Sequence, residues 1–159
     1  MNTHISIYTD GSCHPQHGLG AWAAIILTDK GKTVLSGIVY KTTHQRMELT
    51  AIIKSLEFVQ QQSSDLKDII HIYSDSQYVI GLKSREEKIV SNLYLNVKGN
   101  KIANQDLVKE YFLISQHFCI TYSKIKAHQK LSNASKYNVD VDKLSRKLIR
   151  EAVKQLCQV

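Results

Sequence analysis

Four carboxylates at widely separated positions are the residues of this sequence best suited to chemistry. Asp10 and Asp75 are each the fourth residue of two similar segments, IYTDGS at residues 7–12 and IYSDSQ at residues 72–77. Glu48 and Asp142 each fall in the predicted first turn of a helix. A hard divalent cation such as magnesium prefers carboxylate oxygens, water and substrate phosphate oxygens as ligands. Converging acids of this kind could bind two such ions roughly 4 Å apart and activate water against a phosphodiester.

Each of these acids also has an ordinary structural interpretation. The sequence Asp-Gly-Ser beginning at Asp10 is common in turns, and Ser76 after Asp75 is typical of a helix cap. Glu48 and Asp142 could be surface acids that complement a helix dipole. Only their joint occurrence, in a particular chain order, favours a functional site.

The pattern of apolar residues predicts the elements that must position the acids. Alternation over residues 4–10 predicts a strand that ends at Asp10, and residues 69–74 form another that ends just before Asp75. If these strands are parallel neighbours, both carboxylates emerge at the same edge of the sheet. Open α/β sheets have their functional sites at that edge.

The remaining elements complete an α/β pattern. Further strands are predicted at residues 22–28, 33–40 and 119–126. Helices are predicted at residues 45–61, 76–82, 104–117 and 140–158, with Ser76 and Asn104 as caps. Loops are predicted at residues 11–20 and 129–138, and residues 83–101 could contain a helix and a loop. This order favours one domain, residues 1–159, with a mixed five-stranded sheet flanked by helices.

Composition limits the class of protein. The formal net charge of +7 favours polyanionic partners, although many basic proteins bind no nucleic acid. Cys13, Cys119 and Cys157 are far apart and form no Cys-x-x-Cys pair, so we expect reduced thiols in a cytoplasmic protein. No apolar run is long enough to predict a membrane span, and the N-terminus does not resemble a secretory signal.

Five short motifs carry a more specific signal. They are TDGSC at residues 9–13, TTHQRMEL at 42–49, SDSQYV at 74–79, KAH at 126–128, and Asn138 followed by DKLSR at 142–146. On these motifs the chain resembles the type 1 ribonucleases H over nearly its whole length. The resemblance implies a ribonuclease H-like fold, in which the first and fourth strands of a five-stranded mixed sheet are adjacent and parallel.

The resemblance also implies an activity. Asp10, Glu48, Asp75 and Asp142 would bind two Mg²⁺ ions, with Mn²⁺ as an alternative, and the enzyme would hydrolyse the RNA strand of an RNA–DNA hybrid. Cleavage would leave a 5′-phosphate and a 3′-hydroxyl. Asp10 would lie between the metals, Asp75 would orient the attacking water, and His128 would assist proton movement or product release. A histidine in a polar segment such as this is otherwise usually solvated.

Substrate contacts are implied by the same resemblance. The residues concerned are Gly11, Ser12, Cys13, Thr43, His44, Gln45, Gln77 and Asn138. Thr43 would contact a DNA-strand phosphate, and most of the others would lie along the minor groove, where 2′-hydroxyls distinguish RNA from DNA. His44 stands where the family usually has asparagine. Residues 83–101 lack the clustered tryptophans of many bacterial members, so we expect weaker hybrid binding.

Two other functions share part of this pattern. A transposase-like or resolvase-like DNA nuclease would use the same carboxylates, but such relatives lack the flanking RMEL and DSQYV sequences. A catalytically silent hybrid- or RNA-binding module would typically have lost one acid, whereas all four are present. We therefore predict an enzyme, a metal-dependent ribonuclease H that acts as a monomer on RNA–DNA hybrid and is not bound to a membrane.

Overall fold

The computed structural model describes residues 4–62, 68–125 and 133–158. The strands are β1 (His4–His14), β2 (Leu19–Thr28), β3 (Gly31–Val39), β4 (Ile69–Ser74) and β5 (Cys119–Lys124). The helices are α1 (His44–Gln62), α2 (Gln77–Ser84), α3 (Glu86–Ser91), α4 (Gln105–Ser115) and α5 (Asn133–Cys157). Among these described helices, none combines the length and apolar character that crossing a membrane requires.

The strands form one mixed sheet in the order β3-β2-β1-β4-β5. β1, β2 and β3 pair antiparallel, whereas β4 pairs parallel with both β1 and β5. The predicted five-stranded mixed sheet and the parallel pairing of the first and fourth strands are therefore confirmed. Tyr8 pairs with Tyr73 in the β1–β4 register. Asp10 and Asp75 each follow two residues later, so both emerge at the same edge of the sheet.

Helices cover both faces of the sheet. Ile7, Ile72 and Leu49 are part of the larger core, which packs α1 and α4 against one face. Tyr8 and Val141 belong to the smaller core, in which α5 packs against the other face. Because side chains alternate along a strand, Asp10 lies on the same face as Tyr8, the face that α5 covers.

The prediction of a loop at residues 11–20 is wrong over most of that range. β1 continues to His14 and pairs with β2 from Gly11 opposite Trp22 to His14 opposite Leu19. The glycines that suggested a loop have other roles. A Cβ at Gly20 would lie 2.6 Å from the Met47 Cγ, and only Gly18, with φ of 59°, adopts the backbone of a turn.

The prediction of a polar loop at residues 129–138 is also wrong for residues 133–138, the part of this range that the structure describes. α5 begins at Asn133, seven residues before the predicted helix start at residue 140. Asp142 therefore lies beyond the first turn of α5, and Glu48 lies beyond the first turn of α1, which begins at His44. A helix dipole acts mainly on charges within the terminal turn, so it does not account for either acid.

Two predicted helix caps have different outcomes. Ser76 caps α2, because its Oγ accepts a hydrogen bond from the Val79 backbone N–H at 3.3 Å. Asn104 precedes α4 but has a left-handed backbone and makes no side-chain cap bond. Its side-chain amide instead donates to the Tyr78 hydroxyl at 3.0 Å. Asn104 thus ties the beginning of α4 to α2.

A bidentate ion pair links α1 to α4 and makes stability depend on pH. Arg46 donates to both Asp106 oxygens at 2.8 and 2.7 Å, and this lowers the pKa of Asp106 to about 2. The pair therefore stabilises the fold above the ordinary pKa of about 4 and loses this contribution as pH falls toward 2. We expect Asp106→Asn to lower the free energy of unfolding by less than about 1 kcal/mol at pH 7, because the pair is partly exposed.

Urea unfolding of the parent and Asp106→Asn at pH 7 and pH 3 measures this contribution. The difference in unfolding free energy between the two proteins should shrink at pH 3. Asp29→Asn, in the exposed turn between β2 and β3, removes the same charge and serves as the control. A difference that is equal or larger at pH 3 would contradict the assignment.

Candidate active site

The fold brings the four predicted acids to one edge of the sheet. Asp10 comes from β1, Asp75 follows β4, Glu48 comes from α1 and Asp142 from α5. Asp10 and Glu48 are buried, each with 8% of its surface exposed. Asp10 interacts electrostatically with Asp75 and Asp142, and Asp75 interacts with Glu48 and Asp142. The structure therefore gathers all four carboxylates into one group, which we name the acidic cluster.

The acidic cluster carries excess negative charge, which the contacts of Arg146 with Asp142 and of His44 with Glu48 offset only in part. Burial, together with the nearby charges of Asp75 and Asp142, raises the pKa of Asp10 to about 6. Partial burial and the charge of Glu48 also raise the pKa of Asp75. Both shifts mean that the folded protein resists full ionisation of the cluster. A cation bound there would relieve the repulsion.

Hydrogen bonds from two sides orient the Glu48 carboxylate. The Ser76 hydroxyl donates to Oε2 at 2.5 Å, and the His44 Nε2 lies 2.9 Å from Oε1. Ser76 also caps α2, so the end of β4 and the start of α2 are tied to Glu48. The hydrogen bond to Glu48 raises the pKa of His44. His44, predicted as a groove contact, thus directly contacts an acid of the cluster.

A close approach of two backbones places Glu48 at this edge. A Cβ on Gly11 would lie 2.4 Å from the Glu48 backbone nitrogen and 2.6 Å from the Met47 carbonyl carbon. Only glycine fits such a contact without movement of α1. Gly11 was predicted as a substrate contact, and the structure adds a packing role that the sequence did not indicate.

Comparison with known proteins identifies the family. The sequence profile of the RNase H family matches residues 2–150. The chain belongs to the RNase H family. This finding confirms the resemblance seen in the motifs and the prediction of an enzyme, a nuclease of the hydrolase class.

Relatives of this RNase H family member align over nearly their full length. The protein named Ribonuclease H from Thermoanaerobacter sp. (strain X514) is 34% identical over 95% of this chain and 93% of its own. That from Caldanaerobacter subterraneus subsp. tengcongensis is 33% identical over 97% of this chain and 96% of its own. The structure titled as the foamy viral protease-reverse transcriptase in complex with dsDNA has a TM-score of 0.67 at 16% identity. It covers 91% of this chain and 92% of that chain, and shows likeness in fold alone.

Sequence reasoning about this RNase H family member missed three residues that contact the acids: Ser76, predicted only as a helix cap, and two residues of α5. The Ser145 hydroxyl lies 2.7 Å from the Asp10 Oδ2, and the Arg146 Nε donates to the Asp142 Oδ1 at 2.7 Å. Both belong to the DKLSR motif but were not assigned a role. The spacing of Arg146, four residues after Asp142, could have indicated its ion pair. No local pattern indicates the contact of Ser145, because its partner is 135 residues away in sequence.

The other predicted substrate residues differ in exposure and in their partners. The Ser12 hydroxyl lies 2.9 Å from that of Ser145, and the half-buried Cys13 thiol donates to the Thr42 carbonyl at 3.4 Å. Thr43 is exposed and its Oγ1 accepts from the Arg46 N–H at 3.3 Å, at the start of α1. Gln45 and Gln77 are exposed at the beginnings of α1 and α2, and Asn138 is half-buried in α5, four residues before Asp142. His128 lies outside the described residues.

The donor atoms of the cluster fit a hard divalent cation. Its four carboxylates offer the oxygen ligands that magnesium and manganese prefer. In residues 4–62, 68–125 and 133–158, no group of three or more His, Cys, Asp and Glu side chains is arranged to hold a metal ion by itself. Water and substrate oxygens would have to complete the coordination, as is common for magnesium.

We expect Gly11→Ala to destabilise the protein by about 2 kcal/mol or more, since the added methyl must displace α1 from β1. The same displacement moves Glu48 away from Asp10 and should lower activity. Gly81→Ala is the control, because an added Cβ there has no neighbour nearer than Arg85 Nη2 at 3.7 Å. Alanine favours the helical backbone of α2, so Gly81→Ala should retain or raise stability. Urea unfolding distinguishes the two, and a neutral Gly11→Ala would disprove the close approach.

Proposed function

We propose that this RNase H family member is an endonuclease that hydrolyses the RNA strand of RNA–DNA hybrids. One observation carries the proposal: Asp10, Glu48, Asp75 and Asp142 gather at one edge of the sheet in a cluster of excess negative charge. Membership of the family supports it, and the net charge of +7 suits a polyanionic substrate.

The acidic cluster would hold two divalent cations, Mg²⁺ or alternatively Mn²⁺. When bound, such ions supply Lewis-acid activation of water and stabilise the leaving oxygen. Asp10, a buried acid of β1, would lie between the two positions. Asp75, the exposed acid, would help to hold a cation and through it orient the attacking water. In-line attack would break the bond between phosphorus and O3′, leaving a 5′-phosphate and a 3′-hydroxyl.

Residues around the cluster would recognise the hybrid. Ser12, Cys13, His44, Gln45 and Gln77, with the backbone of Gly11, would lie along the minor groove and contact 2′-hydroxyls without reading base sequence. Thr43 would contact a DNA-strand phosphate, helped by its position at the exposed beginning of α1, because the N-terminus of a helix favours anions. Asn138 would contact the substrate from α5, and His128 would move a proton or help product release.

Two further properties belong to this proposal. The three cysteines of the protein are not in disulfides, which is typical of a reducing compartment, and we expect a cytoplasmic monomer.

Residues 83–101 contain no tryptophan and expose Leu93 and Val97 instead. Aliphatic side chains offer less stacking surface than aromatic ones, so hybrid binding should be weaker than in relatives with clustered tryptophans.

A cleavage assay on four substrates of the same sequence tests the proposal. A labelled RNA is presented as RNA–DNA hybrid, as duplex RNA and as a single strand, and a matched duplex DNA is the fourth substrate. Each is incubated with magnesium and with chelator. We expect cleavage of the hybrid alone, only with magnesium. Asp10→Asn should reduce the rate at least about 100-fold, because it keeps the side-chain volume but removes a charge aimed at the reacting centre. Asp29→Asn, in an exposed turn, should retain the parental rate.

The other outcomes decide between the alternatives. Cleavage of duplex DNA would indicate a DNA nuclease, and binding of the hybrid without cleavage would indicate a silent binding module. Parental activity in Asp10→Asn would show that the acidic cluster is not the catalytic site.

A further inference from the structure

Ser145 is a fully buried residue of α5 whose hydroxyl lies among three oxygen atoms. The Oδ2 of Asp10 is 2.7 Å away, the Ser12 hydroxyl 2.9 Å, and the backbone carbonyl of Asp142 3.1 Å. These atoms come from β1 and from the same turn of α5. Ser145 is therefore the point at which β1 and α5 are joined by a polar contact beside the acidic cluster.

The direction of these hydrogen bonds follows from chemistry. A serine hydroxyl has one proton, and a carboxylate at 2.7 Å is a stronger acceptor than a carbonyl at 3.1 Å. The proton of Ser145 therefore goes to Asp10, and its oxygen accepts the proton of Ser12. The result is a chain of hydrogen bonds from Ser12 through Ser145 to Asp10.

Other buried helical serines of the chain behave differently. Ser55 in α1 donates to the Ala51 carbonyl of its own helix at 2.7 Å, and Ser115 in α4 donates to the Phe112 carbonyl at 3.1 Å. Such local bonds are the usual arrangement for serine inside a helix. Ser145 has the equivalent carbonyl within reach, yet its shortest contact is with a carboxylate on another element. Local helix geometry alone does not explain that contact.

We propose that Ser145 is a positioning residue, whose hydroxyl fixes the orientation of the Asp10 carboxylate relative to Asp142. The inference rests on the proposed function, since it gives this orientation a purpose in cation binding. Asp142 lies three residues before Ser145 on α5, so one turn of helix supplies both an acid and the donor that aligns its partner on β1. Ser12, a proposed substrate contact, is connected to Asp10 through the same hydroxyl.

Manganese binding tests the proposal without relying on activity. Free Mn²⁺ is followed by electron paramagnetic resonance during titration of the parent, Ser145→Ala and Ser145→Cys. Cysteine has the same shape as serine and a slightly larger side chain, so it leaves no cavity, but it is a weak donor and thus separates hydrogen bonding from lost packing. We expect both variants to bind manganese about three- to tenfold more weakly, the size that loss of one typical hydrogen bond implies. Hybrid cleavage should fall at low manganese and recover at saturating manganese.

Ser55→Ala is the matched control, because it removes an equally buried helical hydroxyl that contacts only its own helix. It should keep the parental manganese affinity, and thermal unfolding should report any effect on stability alone. Parental manganese affinity in Ser145→Ala would overturn the proposal, and so would parental affinity in Ser145→Cys, which would point to packing. If the parent cleaves the hybrid and binds manganese but substitution of Ser145 leaves the manganese affinity unchanged, only this inference is refuted. A parent that binds no manganese refutes the proposed function as well.

Discussion

Mutual repulsion of carboxylates is the constraint on which the site depends. Two unit charges 4 Å apart interact by about 4 kcal/mol at the effective dielectric of a protein surface. Asp10 is repelled by Asp75 and Asp142, and Asp75 by Glu48 and Asp142; this repulsion adds to burial, the larger cause, in raising the pKa of Asp10. An arrangement of this kind persists only if the surrounding structure enforces it.

Three structural features enforce the arrangement. The parallel register of β1 and β4 brings Asp10 and Asp75 to the same edge. The absence of a side chain at Gly11 lets the α1 backbone approach β1 and places Glu48 there. α5, packed on the opposite face of the sheet, supplies Asp142. The polar partners that we describe, Ser76 on Glu48 and Ser145 on Asp10, then orient individual oxygens.

How much of this was predictable depends on whether the signal is local. The strand at residues 69–74 was predicted with its observed bounds, because β-branched residues there end abruptly at polar ones. Gly11 was interpreted as part of a loop, since the backbone that passes over it lies almost 40 residues further along the chain. The polar beginning of α5 has no strong apolar stripe, and so its helical turns were missed. The contact of Ser145 was not predictable for the same reason as that of Gly11, because its partner Asp10 is far away in sequence.

Anomalous X-ray diffraction from crystals of this protein soaked in manganese tests the central claim most directly, because it locates the cation without reference to activity. The repulsion within the acidic cluster predicts anomalous peaks bounded by the carboxylates of Asp10, Glu48, Asp75 and Asp142, with Asp10 contacting the ion. Strong manganese peaks elsewhere on the protein, with none beside Asp10, would contradict it.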